Sequence, residues 1–199
     1  LASLNLPDEI RAQNDVDLAA QYIMQQATKK VETAASRGTY VHDSIDAMFN
    51  DREWDQEDGQ LQAVAEWIDA KCVSHKWSEE SLVNKDVGYA GRADTLLDHE
   101  EYGLTLVDFK TQDVKQSRKG EWTPKFYDKF VFQLAAYADC LPVQPRLLSL
   151  VINNNANEVY ERLWTDEEAE EALGVFGHIH AVWCHDKKFY PAKHTEVKA

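Results

Sequence analysis

GYAGRADTLLDHEEYGLTLVDFKTQ, residues Gly88 to Gln112, reads as two short strands joined by a turn. Antiparallel pairing centred on Glu101 sets Leu96 opposite Leu106, Asp94 opposite Asp108 and Arg92 opposite Lys110. Side chains alternate faces along a strand, so Asp94, Asp108 and Lys110 share one face in this register. Two carboxylates facing each other across a ladder repel, at a cost on the order of several tenths of a kcal/mol, and a cation between them removes that cost. Oxygen ligands of this kind suit Mg²⁺ or Mn²⁺, and a neighbouring lysine suits the positioning of a water. The same residues also describe a surface hairpin with a solvated acidic face. The hairpin alone does not choose between the two.

The chain has 199 residues, an apolar fraction of 44% and six tryptophans, enough for a folded domain with a substantial core. No apolar run reaches membrane-spanning length, and the first residues lack a basic-then-apolar signal pattern. Cys72, Cys140 and Cys184 are far apart and form no CxxC, as expected for buried thiols in a reducing compartment. The expected location is therefore cytoplasmic, with no membrane partner. The net charge of −14 excludes binding of nucleic acid by bulk electrostatics. Positive charge is nevertheless concentrated in one window, where Lys115, Arg118, Lys119 and Lys125 stand against Glu121 alone.

Residues 1–14 hold Pro7 and few periodic apolar positions and read as a loosely held lead-in to a single domain over 15–199. A helix is expected from Asp15 to Ala35, a break at Ser36-Arg37-Gly38-Thr39, and a second helix from Tyr40 to Phe49. Gln60 to Cys72 forms a third. Strand pattern begins at Ser81, before the hairpin. Gln112 to Thr123 is polar, basic and aperiodic, and is expected to be a mobile loop that orders on a ligand. Phe126 to Leu141 reads as a helix on which Lys129, Gln133 and Tyr137 recur every four residues and so point the same way. Strands at Leu147–Ile152 and Val159–Trp164 and a helix capped by Thr165 follow. The sum is an α/β fold with a single mixed central sheet flanked by helices.

Several of these pieces together resemble the PD-(D/E)XK nuclease superfamily in its RecB-like exonuclease branch. They are the GxxD strand at Gly91 to Asp94, the DxK strand at Asp108 to Lys110, the QxxxY helix at Gln133 to Tyr137, and a histidine, His42, on a helix shortly after Arg37-Gly38. The resemblance spans roughly Arg37 to Trp164, and is nearest to compact phage-type exonucleases and the mitochondrial genome maintenance exonuclease. It implies a restriction-endonuclease-like core in which Asp94, Asp108, the Phe109 carbonyl and His42 bind Mg²⁺ or Mn²⁺. It also implies that Lys110 positions or deprotonates the attacking water, and that Gln133 and Tyr137 orient the site or touch substrate phosphate. Iron–sulfur members of the branch use four cysteines; three dispersed ones do not supply that cluster, so none is expected.

Spacing and charge, apart from the resemblance, add further candidates. Arg37 and Lys129 are expected near substrate, Lys115, Arg118 and Lys119 against DNA phosphates, Trp122 stacked on an unpaired base, and Glu80 close to the metal. The expected activity is hydrolysis of DNA from free or single-stranded ends, in recombination or end processing. A structure-specific endonuclease on the same scaffold and a non-catalytic nucleic-acid-binding or interaction module remain as alternatives.

Overall fold

Apolar residues alternate along the central strands and divide between two cores, one on each face of a sheet. The computed structural model describes residues 7–8 and 16–191; the expected lead-in falls almost wholly outside them. Among the described residues the elements are α1 (Val16–Phe49), α2 (Gly59–Lys71), β1 (Cys72–Asn84), β2 (Tyr89–His99), β3 (Gly103–Gln112), β4 (Lys115–Gln116), β5 (Trp122–Thr123), α3 (Asp128–Ala138), β6 (Arg146–Asn153), β7 (Val159–Trp164) and α4 (Asp166–Lys187). Two compact units divide the chain, Leu1–Tyr40 and Val41–Ala199. No helix is long and apolar enough to cross a membrane among the described residues.

The second unit carries a five-stranded sheet of order β1-β2-β3-β6-β7. It is antiparallel except between β3 and β6, where a parallel pairing sets Asp108 beside Ser149 and Lys110 beside Val151. A parallel neighbour cannot follow through a tight turn, and α3 lies within the crossover. On one face Leu96, Leu106, Leu147 and Val151 pack with Phe130, Leu134 and Ala138 of α3 and Ala172 of α4. On the other, Leu97, Val107, Phe109, Leu148, Leu150 and Ile152 pack with Val41 and Ile45 of α1 and Leu61, Val64 and Trp67 of α2. This is the layered α/β arrangement expected, with helices covering both faces.

Caps mark the helix starts. Asp58 accepts from the backbone N–H groups of Gln60 and Leu61, and Thr165 forms a reciprocal capping box with Glu168.

Three local expectations are corrected. The helix does not break at Ser36–Thr39: α1 runs on through Gly38. An interior glycine costs a helix only about 1 kcal/mol, and the Ser36 hydroxyl, inside the expected break, donates to the Glu32 carbonyl four residues back (2.9 Å). β1 begins at Cys72, nine residues before Ser81, because two register shifts, between Cys72 and Ser74 and between His75 and Trp77, erase its alternation. The segment after β3 is also not an aperiodic loop. Lys115 pairs with Thr123 and Gln116 with Trp122, and the Gln112 side chain clamps the base by bonding both ways to the Lys125 backbone (2.8 and 2.9 Å).

Candidate metal centre

The β2–β3 register is the one the turn predicts, with Leu96 opposite Leu106, but the paired ladder stops at Thr95 and Val107. One residue further, the Phe109 backbone N–H donates to Asp94 Oδ2 at 2.7 Å. A side chain thus takes the place of a ladder bond, and Asp94 is anchored to the residue following Asp108. Asp108 itself is 1% exposed. Lys110 Nζ holds its Oδ1, while its buried Oδ2 has no hydrogen-bond partner among the described residues. Burial, and then the charge of Asp94, push the Asp108 carboxyl up to about 7, with Lys110 and His42 pulling the other way.

His42 comes from the part of α1 that belongs to the second unit. Its Nε2 lies 3.1 Å from the Phe109 carbonyl, which can only accept, so Nε2 carries the proton. Nδ1 then faces Glu79 Oε1 at 3.3 Å and Asp94 Oδ1 at 3.5 Å. An imidazole lone pair aimed at two carboxylates is relieved by a proton or a metal ion at that point. His42, Glu79 and Asp94 can each offer a ligand atom, all within 4.8 Å of one another.

Glu79 is a residue that sequence reasoning missed. The candidate there was Glu80, which is exposed and pairs with Ala93 in the ladder. Adjacent strand residues point to opposite faces, so the choice depends on register. The signal was present in the turn after β1: pairing Asn84 with Tyr89 around Gly88 counts back to Glu79 opposite Asp94. Glu79 has φ 51°, a left-handed conformation that costs a non-glycine residue roughly 1–2 kcal/mol. Arg92 secures it through Nε, which lies 2.8 Å from Glu79 Oε2 and 3.0 Å from the Glu79 carbonyl.

The Gln133–Tyr137 stripe of α3 closes the other side. Gln133 Nε2 donates to the Tyr137 hydroxyl at 3.1 Å. Burial pushes that hydroxyl above its usual value; the Gln133 bond opposes this, and the charges of Asp94 and Asp108 reinforce it. The glycine of GxxD is explained by the same ring. A Cβ on Gly91 would stand 2.4 Å from Tyr137 Cε1. Lys110 and Lys129 place their ammonium groups 5.7 and 5.8 Å from the centre of the Phe130 ring.

Lys115, Arg118 and Lys119 are exposed on the β4–β5 hairpin, whereas Trp122 is partly buried against the core. Arg37 belongs to the first unit and stacks its guanidinium over Tyr40 at 5.0 Å. Cys72 and Cys140 are half-buried and Cys184 is buried, all as free thiols.

No family model and no curated protein matches the chain. A search of solved structures finds the crystal structure of a "Putative exonuclease" from Eubacterium rectale, with 13% identity over 79% of this chain and 68% of that one. The TM-score is 0.49, and the likeness carries no argument about activity.

Proposed function

We propose that this chain is a divalent-metal-dependent deoxyribonuclease that hydrolyses phosphodiester bonds from free DNA ends, preferring single strands, in recombination or end processing. The observation that carries the reading is the meeting of His42, Glu79 and Asp94, together with a buried Asp108 that keeps one oxygen unpaired among the described residues. The carboxylates are donors suited to Mg²⁺ or Mn²⁺, and the imidazole favours Mn²⁺ of the two. The unpaired Asp108 Oδ2 and the crowded His42 Nδ1 are both groups that a cation would satisfy.

His42, Asp94 and Asp108 are the residues that would hold the ion, and the Phe109 carbonyl, expected as a further ligand, would join them only by giving up its bond from His42 Nε2. When bound, a divalent cation supplies charge neutralisation at a phosphate oxygen and acidifies water. The Phe109 N–H keeps Asp94 in place without moving parts. Lys110, bonded to Asp108, stands where its ammonium can orient a water and hold or pass a proton. Gln133 and Tyr137 form a polar wall against which a phosphate can be oriented, and Lys129 adds positive charge at its edge. The exposed cations of the β4–β5 hairpin offer backbone phosphates a place to bind on an otherwise acidic surface.

End-labelled linear and closed circular DNA, single- and double-stranded, incubated with Mg²⁺ or Mn²⁺ and with EDTA, tests the reading. Degradation of linear DNA with circles spared is expected. Cleavage of circles would make it an endonuclease on the same scaffold. Binding without cleavage in either metal would reduce it to a nucleic-acid-binding module.

A further inference from the structure

The left-handed backbone of Glu79 is a feature of the site that neither the DxK nor the GxxD strand requires. A strand interior offers a glutamate an unstrained extended conformation, and here that conformation is given up between two regular ladder pairs, Ser78 with Thr95 and Glu80 with Ala93. Strain of this kind persists only where the surroundings over-determine it. The surroundings are Arg92 Nε, which grips both the carbonyl and the carboxylate, and His42 Nδ1 on the other carboxylate oxygen. The side chain is 16% exposed, against 65% for Arg92, so the guanidinium covers the acid from the solvent side. Asp94 and Asp108 already repel, and Glu79 adds negative charge to them.

We propose that Glu79 is a further ligand of the cation and that Arg92 is its positioning residue, holding the strained backbone and the carboxylate ready before the ion arrives. The inference rests on the metal-dependent reading of the site. A second observation, independent of Glu79, is Asp108 Oδ2, buried and without a hydrogen-bond partner among the described residues, on a carboxylate that feels the charge of Asp94. Preorganised acceptors of this sort exchange the reorganisation a flexible site would undergo on binding for a standing strain in the empty one.

Titration of the full chain with Mn²⁺ alone, followed by calorimetry without DNA, tests this. Glu79→Gln is expected to weaken Mn²⁺ binding about tenfold or more, and Arg92→Gln by about tenfold, the range for groups that orient a ligand. Glu79→Gly separates the ligand role from a structural one. Glycine tolerates the left-handed conformation, so the metal-free melting temperature should hold or rise while Mn²⁺ affinity falls as in Glu79→Gln. Wild-type affinity in both Glu79 variants would overturn the proposal and leave the metal site of Asp94 and Asp108 standing. Absence of Mn²⁺ and Mg²⁺ binding by the unaltered protein would instead remove both readings together.

Discussion

Asp94 accepts a hydrogen bond from the backbone N–H of Phe109 at 2.7 Å, so one carboxylate both ends a β-ladder and faces the candidate metal centre. The two roles can be separated. Asp94→Ala leaves a buried N–H without an acceptor and is expected to cost about 1–3 kcal/mol in urea unfolding. Asp94→Asn keeps an acceptor and removes repulsion with Asp108, so its stability should match or exceed the parent's while Mn²⁺ binding is lost. Equal stability of the two variants would show that the bond to Phe109 carries no weight.

Asp108 should make the metal-free protein sensitive to pH in an unusual direction. Burial and the Asp94 charge raise its folded-state value from the ordinary 3.8 to about 7. The folded state therefore binds the proton more tightly than the unfolded chain, and stability falls as pH rises across that window, then levels off above it. Melting temperatures without metal should decline from about pH 4 to about pH 7 relative to Asp108→Asn. Saturating Mn²⁺ should reduce the decline. A flat difference between the two proteins over that range would contradict this account.

Gly91 and Tyr137 are coupled by sterics, since a Cβ at 91 would meet the ring at 2.4 Å. Gly91→Ala should destabilise the fold by about 1–3 kcal/mol, the usual cost of overpacking. In a Tyr137→Ala background the same change should cost much less, a non-additivity expected only between residues in contact. Additive costs in denaturant unfolding would mean that the cost at Gly91 does not come from the Tyr137 ring.

The exposed cations of the β4–β5 hairpin carry the prediction for DNA. Replacing Lys115, Arg118 and Lys119 together by alanine should raise the apparent KM and flatten its salt dependence by about two to three units of log–log slope. The rate at saturation should change far less, because these residues lie outside the cluster around Asp94. Unchanged salt dependence would place the DNA path elsewhere, along Lys129 on α3.

Local signals in the sequence, the turn centred on Glu101, strand alternation and a capping threonine, determined the β2–β3 register, the strands at β6 and β7, the Thr165 cap and the pairing of Asp94 with the Asp108–Lys110 strand. These depend on residues close in the chain, or on an alternation that each strand carries by itself. Three things were settled only by tertiary structure. α1 runs through Ser36–Thr39 because one glycine's helix penalty is small, and the Ser36 hydroxyl bonds within the same helix. The 112–123 segment folds as a hairpin because Gln112 and Lys125 close its base, a contact across thirteen residues that no composition rule reveals. Glu79, not Glu80, joins His42 and Asp94, because two register shifts earlier in β1 hide the strand's parity and Arg92, from the neighbouring strand, holds the backbone in a conformation no glutamate prefers. Strain at one residue is invisible in sequence, since it exists only where distant groups impose it together.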